Sequence, residues 1–186
     1  MPFLNGQDIQ IIEHGKDRFD PNCCVFILSY DLASRRHLDL AELNFQTCIA
    51  DEAHYLKSRG AKRSKMLMPV LMKSKRLMLL TGTPILSHPV ELYNLLKTLR
   101  PDVMTNFTQY TQRYCDPKAS RFAMDYTGST CIDELNFLLN RTLMIRRLKK
   151  DVLKDLPEKT RQKIPIKLNE EMRKKIMKKL ENSFKK

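Results

Sequence analysis

Short apolar runs alternate along the chain with longer stretches that have helical periodicity. The run from Cys24 to Leu28 is continuous and rich in β-branched and aromatic side chains, which is typical of a strand covered on both faces. Residues 45–50 and 77–80 form two further runs of strand length, and Ile9 to Glu13 is a shorter one. Strands that alternate with helices in this way indicate an α/β fold with a mainly parallel sheet.

Helical patterns fill the intervals between these runs. Pro89 stands at a predicted first helical position, and the leucines that follow it form one apolar face. A polar loop containing Gly128 separates two later helices, and 160–168 alternates like a strand or an extended connector. The predicted helices span 31–43, 61–72, 89–99, 105–115, 132–144 and 169–184, the last of them basic and amphipathic.

Two polar tetrapeptides stand where predicted strands end. Asp51-Glu52-Ala53-His54 follows the run over 45–50, and Thr81-Gly82-Thr83-Pro84 follows the run over 77–80. In parallel sheets, ligands bind beyond the carboxyl ends of the strands. We therefore expect both tetrapeptides to face one site.

The acidic tetrapeptide has the residue types that phosphate chemistry needs. Mg²⁺ is commonly held through one or two carboxylates, and water and phosphate oxygens complete its shell. Asp51 would hold the metal, Glu52 would orient and deprotonate the attacking water, and His54 would report the nucleotide state. The hydroxyls of Thr81 and Thr83 would link this site to a nucleic-acid track. The alternative is structural: the carboxylates favour a helix start through its dipole, and the threonines form an ordinary turn.

The net charge of +13 is concentrated in two segments. Residues 57–76 contain 8 basic and no acidic residues, and residues 141–186 contain 17 basic and 6 acidic residues. Such patches favour an anionic polymer as partner, although lysine-rich helices are often only solvated faces. No run of eighteen apolar residues predicts a membrane span. The five cysteines form no CxxC pair and the four histidines are scattered, so we expect free thiols and no zinc site.

Four segments in this order resemble the Snf2-type motors of helicase superfamily 2: FILSYDL, CIADEAH, LMLLTGTP and RRLKKDVLKDLPEK. They match that family's motifs Ib, II and III and the block that follows the first motor lobe. The stretches GKDRF, YCDPK, DYTGS and ELNFLL further resemble the annealing-helicase branch, which is HepA-related and SMARCA-like. The resemblance implies a RecA-like parallel sheet flanked by helices, as part of a first motor lobe, with a helical extension.

The resemblance also implies an organisation and a function. Residues 1–145 would be a partial ATP-binding lobe with a helical insertion over about 103–145, and residues 146–186 a basic lobe connector. The implied activity is ATP- and Mg²⁺-dependent translocation on double-stranded or forked DNA in the nucleus, with rewinding of strands. By motif match, the site residues would be Asp51 and Glu52 for metal and catalysis, His54, Thr81, Gly82 and Thr83 for coupling, and Ser29, Tyr30, Arg146, Arg147 and Lys149 for nucleic acid.

One feature of such motors is missing from the sequence. The phosphate-binding loop has the form GxxxxGK(S/T), and Gly15-Lys16 does not fit it because Asp17 follows. We therefore expect that the chain is part of a longer motor and does not hydrolyse ATP alone. Two alternatives stay open: a non-catalytic DNA-binding or scaffold fragment, and an RNA helicase of the DEAH type. The LTGTP form argues against the RNA helicase.

Overall fold

The computed structural model describes residues 5–82, 88–120 and 123–147, together with residues 162, 172, 173 and 177. The chain divides into two units, Met1–Met144 and Ile145–Lys186. The predicted strand over 160–168 and the predicted helix over 169–184 fall almost wholly outside the described residues. In the part of the chain that is described, no helix has the length and hydropathy to cross a membrane.

Four short strands pair in parallel within the first unit. Strand β1 (Ile9–Ile12) pairs with β2 (Val25–Leu28), and β3 (Thr47–Ala50) pairs with β4 (Arg76–Leu79). Between β2 and β3 the described residues form no ladder, and side-chain contacts link the two pairs of strands. The ring of Phe26 lies 6.0 Å from that of Phe45 near their amino ends, and a hydrogen bond joins the segments beyond their carboxyl ends. The predicted α/β class is confirmed. The two strand pairs are parallel, but the described residues do not join them into the predicted RecA-like sheet.

Six α-helices, two short 3₁₀ helices (Gly6–Asp8 and Ala53–Leu56) and one small hairpin complete the described fold. The hairpin consists of β5 (Lys118–Ala119) and β6 (Met124–Asp125), which are antiparallel. The sequence did not predict this hairpin. The helices are α1 (Tyr30–Arg35), α2 (His37–Glu42), α3 (Lys62–Lys73), α4 (Val90–Leu99), α5 (Phe107–Tyr114) and α6 (Ile132–Thr142).

The predicted helix over 31–43 is wrong as a single element, because it breaks at Arg36. This residue leaves the helical region (φ −105°, ψ 24°) and separates α1 from α2. Its guanidinium donates hydrogen bonds to the carbonyl of Asp17 and the carboxylate of Asp39, and it lies 4.3 Å from the ring centroid of Phe19. Asp17 and Phe19 belong to the preceding loop. The hydrophobic periodicity of residues 31–43 therefore could not predict these contacts.

Two hydrophobic clusters form the core, and α4 contributes to both. Leu95 faces the first cluster, which packs the strands against α1, α2 and α3. Leu92, Tyr93 and Leu96 face the second, which holds α5 and α6. All five cysteines are free thiols, as expected. Burial raises the pKa of the Cys115 thiol to about 11, so at neutral pH it packs in the second cluster as a small apolar group.

Gly128 lies where two segments approach closely. A Cβ at this position would stand 2.7 Å from the carbonyl oxygen of Cys115 and 2.9 Å from the Cβ of Asp116. Asp116 already has a left-handed backbone (φ 42°), and the amide of Thr130 donates to the carbonyl of Tyr114 beside it. The contact therefore fixes the loop between α5 and α6 and leaves no room for a side chain.

We expect Gly128→Ala to lower the free energy of unfolding by about 1–3 kcal/mol, because the backbone atoms it meets cannot move aside cheaply. Urea unfolding of the chain measures this difference. Gly60→Ala is the matched control, since no atom lies within 4 Å of its added Cβ. Equal stability of the two variants would contradict the close approach at Gly128.

Candidate functional site

The two tetrapeptides meet at the carboxyl ends of β3 and β4. The amide of Leu80 donates to the carbonyl of Ala50 at 2.9 Å, which extends the ladder by one bond. The amide of Ala53 then donates back to the carbonyl of Leu80 at 2.8 Å. This pair of bonds holds the segments after both strands side by side, as parallel pairing predicts.

The chain turns sharply at Glu52. Its backbone is left-handed (φ 48°, ψ 46°), and its amide donates to Oδ1 of Asp51 at 2.8 Å. A left-handed non-glycine residue costs roughly 1–2 kcal/mol, so the surrounding bonds must hold it. The turn leads into the 3₁₀ helix Ala53–Leu56 and leaves both carboxylates exposed to solvent.

His54 connects the two tetrapeptides through a single ring nitrogen. Its Nδ1 lies 3.1 Å from Oε2 of Glu52 and 3.5 Å from Oγ1 of Thr81. Gly82 follows directly and is exposed, whereas Thr83 lies outside the described residues. The geometry brings His54 and Thr81 together; the coupling role of these residues stays a prediction.

Ser29 and Tyr30 have structural partners as well as a predicted contact with nucleic acid. The hydroxyl of Ser29 accepts a hydrogen bond from the amide of Leu32 at 3.3 Å and so caps α1. The phenol of Tyr30 donates to the carbonyl of Asp51 at 2.7 Å. Burial, together with the charges of Asp51 and Glu52, raises the pKa of Tyr30 to about 12. Tyr30 therefore remains a donor to the acidic segment throughout the physiological pH range.

Sequence reasoning missed an aromatic stack beside the acidic segment. The ring of Tyr55 lies 4.7 Å from the ring of His54 and 5.8 Å from that of Tyr30, and the guanidinium of Arg63 lies 5.3 Å from its centroid. The stack fixes the orientation of the His54 ring. In the sequence, the one sign of this stack was that Tyr55 directly follows His54. Its other partners, Tyr30 and Arg63, lie on separate helices and are distant along the chain.

The basic segment over 57–76 is used in part for packing. Lys57 forms an ion pair with Glu91 at 2.7 Å, and the guanidinium of Arg59 lies 3.9 Å from the ring centroid of Phe107. These contacts tie the segment to α4 and α5. The remaining exposed basic side chains of the segment are Lys62, Lys65, Lys73, Lys75 and Arg76.

The other predicted nucleic-acid contacts belong to the second unit. Arg146 and Arg147 are exposed there, and Lys149 lies outside the described residues. No observation tests their role, so it stays a prediction.

The acidic segment fits a metal that takes few protein ligands. Oδ1 of Asp51 accepts the amide of Glu52, and among the described residues no donor reaches the other oxygen of this carboxylate. Within that same part of the chain, no group of three or more His, Cys, Asp or Glu side chains converges on a point. One exposed carboxylate oxygen of Asp51 could contact a Mg²⁺ ion that takes its other ligands from water and phosphate, and this role stays a prediction.

Comparison with known proteins identifies the family of the chain. A model of the SNF2-related domain matches residues 10–184. The chain belongs to the SNF2-related domain family. Its members among curated proteins include SWI/SNF-related matrix-associated actin-dependent regulator of chromatin subfamily A-like protein 1 from Xenopus laevis, which is 40% identical over 166 residues.

A second relative of the SNF2-related domain is DNA annealing helicase and endonuclease ZRANB3 from Homo sapiens, which is 38% identical over 177 residues. The alignments cover 89% of this chain and 17% of the Xenopus protein, and 90% of this chain and 16% of the human protein. The chain therefore spans about a sixth of the length of these relatives.

Tyr30→Phe tests whether the phenol holds the acidic segment in place. We expect hydrogen exchange at the amides of Glu52 and Ala53 to accelerate about tenfold, because one backbone tether is lost. The free energy of unfolding should fall by only about 0.5–1.5 kcal/mol. Exchange followed by NMR or mass spectrometry measures the local effect, and urea unfolding measures the global one.

Tyr114→Phe is the matched control for this variant. Its hydroxyl donates to the carboxylate of Glu134 at 2.9 Å, far along the chain from the acidic segment. The control should lose comparable stability and leave exchange at Glu52 and Ala53 unchanged. Identical exchange in both variants would rule out the tether.

Proposed function

We propose that this SNF2-related domain is part of an ATP-dependent DNA translocase that rewinds or remodels DNA at forks in the nucleus. Residues 1–145 supply part of a RecA-like first lobe, and residues 146–186 begin the connector to the next lobe. The names of the relatives, a DNA annealing helicase and a regulator of chromatin, support a DNA substrate over RNA.

The observation that carries the proposal is the convergence of the two tetrapeptides. Asp51, Glu52, His54 and Thr81 come from the ends of two adjacent parallel strands and meet through His54. A site that couples ATP hydrolysis to movement along nucleic acid requires a carboxylate for the metal and a base for the attacking water. It also requires a polar contact that connects them to the segment that binds nucleic acid.

The roles within the site follow from exposure and contact. Asp51 offers a carboxylate oxygen to Mg²⁺, which would neutralise charge on the transferring phosphate. Glu52 keeps an exposed carboxylate that orients water, and His54 fixes it from one side while contacting Thr81. Gly82 and Thr83 continue the coupling segment.

The residues of this chain do not fit ATP by themselves. No GxxxxGK(S/T) loop occurs in the sequence, so the backbone amides and the lysine that hold phosphates are not provided. The chain alone therefore lacks the groups that a hydrolytic step on ATP requires. The same absence favours a second candidate function, a non-catalytic DNA-binding module, for the chain when it is separated from the longer motor.

DNA contact is assigned to Ser29 and Tyr30 near the acidic segment, and to Arg146, Arg147 and Lys149 in the connector. The exposed lysines of α3 and of the loop after it add positive charge to the first lobe. Phosphate contacts of this type recognise DNA shape and charge and carry no sequence information directly.

We expect the chain to bind a forked DNA with an affinity that falls at least tenfold between about 50 and 200 mM salt, because phosphate contacts release counterions. Fluorescence anisotropy with a labelled fork measures the dissociation constant. A sequence-scrambled fork is the control and should bind equally well. An affinity that is insensitive to salt would remove the role of the basic segments.

We expect the chain alone to release no phosphate from ATP above background, with or without DNA. A longer protein that includes a phosphate loop should show DNA-stimulated release, and Glu52→Gln in that protein should lower kcat about 10²–10⁴-fold, the usual contribution of a general base. Binding of DNA should be retained in the variant. Turnover by the isolated chain that Glu52→Gln abolishes would overturn our view of the site.

A further inference from the structure

The side chain of Tyr55 lies at the surface beside the candidate site. It is 51% exposed and belongs to neither of the two core clusters. Among the described residues its hydroxyl makes no hydrogen bond, so the contacts of this side chain are those of its ring. Neither burial in the core nor a polar contact of the hydroxyl therefore explains the position of Tyr55.

One ring contact of Tyr55 is with a side chain of the candidate site. The ring of Tyr55 stacks on that of His54, with 4.7 Å between the centroids and 28° between the planes. This separation lies within the range of offset aromatic stacks. The amide of Tyr55 also donates to the carbonyl of Glu52 at 3.0 Å. Tyr55 thus contacts the acidic segment through both its ring and its backbone.

The orientation of the His54 ring matters because both of its polar contacts use one nitrogen. Nδ1 lies 3.1 Å from Oε2 of Glu52 and 3.5 Å from Oγ1 of Thr81. A half-turn about the Cβ–Cγ bond would put a carbon atom in place of Nδ1, and both contacts would be lost. Rotation about this type of bond has only a broad, roughly two-fold preference. A neighbouring group must therefore select the orientation that is observed.

Two further contacts hold the ring of Tyr55 itself. The ring of Tyr30 on α1 lies 5.8 Å from it, and the guanidinium of Arg63 on α3 lies 5.3 Å from its centroid. The quadrupole of an aromatic ring attracts a cation placed over its face. The ring that stacks on His54 is therefore supported by two separate helices, although it is half exposed.

We propose that Tyr55 is a positioning residue for ATP hydrolysis, which holds the imidazole of His54 in the orientation that connects Glu52 with Thr81. This role rests on the proposed function, since it supports the reaction assigned to the acidic segment. The ring of Tyr55 is required for it and the hydroxyl is not, because the ring makes the contacts. Phenylalanine should therefore replace Tyr55, and alanine should not.

The motion of the His54 ring in the isolated chain provides the first test. NMR relaxation of ¹³C-labelled histidine measures the order parameter of the ring, and the signal of His54 is the one missing from His54→Gln. Tyr55→Ala should lower this order parameter to below about 0.6, the range of flexible groups. Tyr55→Phe should keep the wild-type value. A His54 ring that is as ordered in Tyr55→Ala as in the wild type would overturn the proposal.

Phe137→Ala is the matched control. Phe137 is 61% exposed, and the guanidinium of Arg141 lies 5.7 Å from its ring centroid. The control thus removes an exposed ring beside an arginine, on a helix that carries no predicted site residue, and should leave the His54 ring ordered. Urea unfolding should show that Tyr55→Ala loses no more stability than this control. A clearly larger loss would indicate that the ring of Tyr55 supports the fold and would count against the proposal.

The kinetic consequence is measured in a longer protein that includes a phosphate loop. Tyr55→Ala should lower the kcat of DNA-stimulated ATP hydrolysis about 10- to 100-fold, because small displacements at a reacting centre have effects of this size. The KM for ATP should change less than about twofold, the behaviour of a group that acts on the transition state and not on substrate binding. Tyr55→Phe should restore kcat.

The outcomes of the kinetic experiment separate this inference from the proposed function. A wild-type longer protein that hydrolyses no ATP would refute the proposed function and this inference together. Hydrolysis by the wild type that Tyr55→Ala leaves unchanged would refute this inference alone. A rise in KM with an unchanged kcat would also refute it, since that result would make Tyr55 part of the ATP-binding surface.

Discussion

The carbonyl oxygen of Leu56 is the point on which the described fold depends. Leu56 is fully buried, and its oxygen accepts hydrogen bonds from the hydroxyl of Ser64 and the side-chain amide of Asn94. Both donors are also buried. The two bonds fasten the 3₁₀ helix Ala53–Leu56 to α3 and α4 at once. Removing either donor would leave the buried carbonyl with one hydrogen bond fewer and would lower the free energy of unfolding by about 1–3 kcal/mol.

This anchor explains how a strained turn can persist at the candidate site. Glu52 is left-handed, and it is held between the ladder of β3 and β4 on one side and the anchored 3₁₀ helix on the other. The tether from Tyr30 adds a third restraint. Groups outside the motif thus position the exposed carboxylates. The packing of α1, α3 and α4 therefore decides the geometry of the acidic segment.

Part of the positive charge of the chain is used within the fold. Lys57 and Arg59 join the first core cluster's elements to those of the second, through Glu91 and the ring of Phe107. Exposed lysines of the segment are left for the proposed contact with phosphate. A count of charges along the sequence therefore overstates the surface that is available to DNA, because a guanidinium above an aromatic ring already has a partner.

The sequence by itself determined the α/β class, most of the strands and helices, the family and the two motifs, because hydrophobic periodicity and motif spacing are local properties. It placed Asp51, Glu52 and Thr81 at strand ends, and parallel pairing was enough to predict that they meet. Only the tertiary structure decided the break at Arg36, the left-handed turn and the partner of Tyr30. Each of these depends on atoms that lie many residues away in the chain, and a periodic pattern contains no information about them.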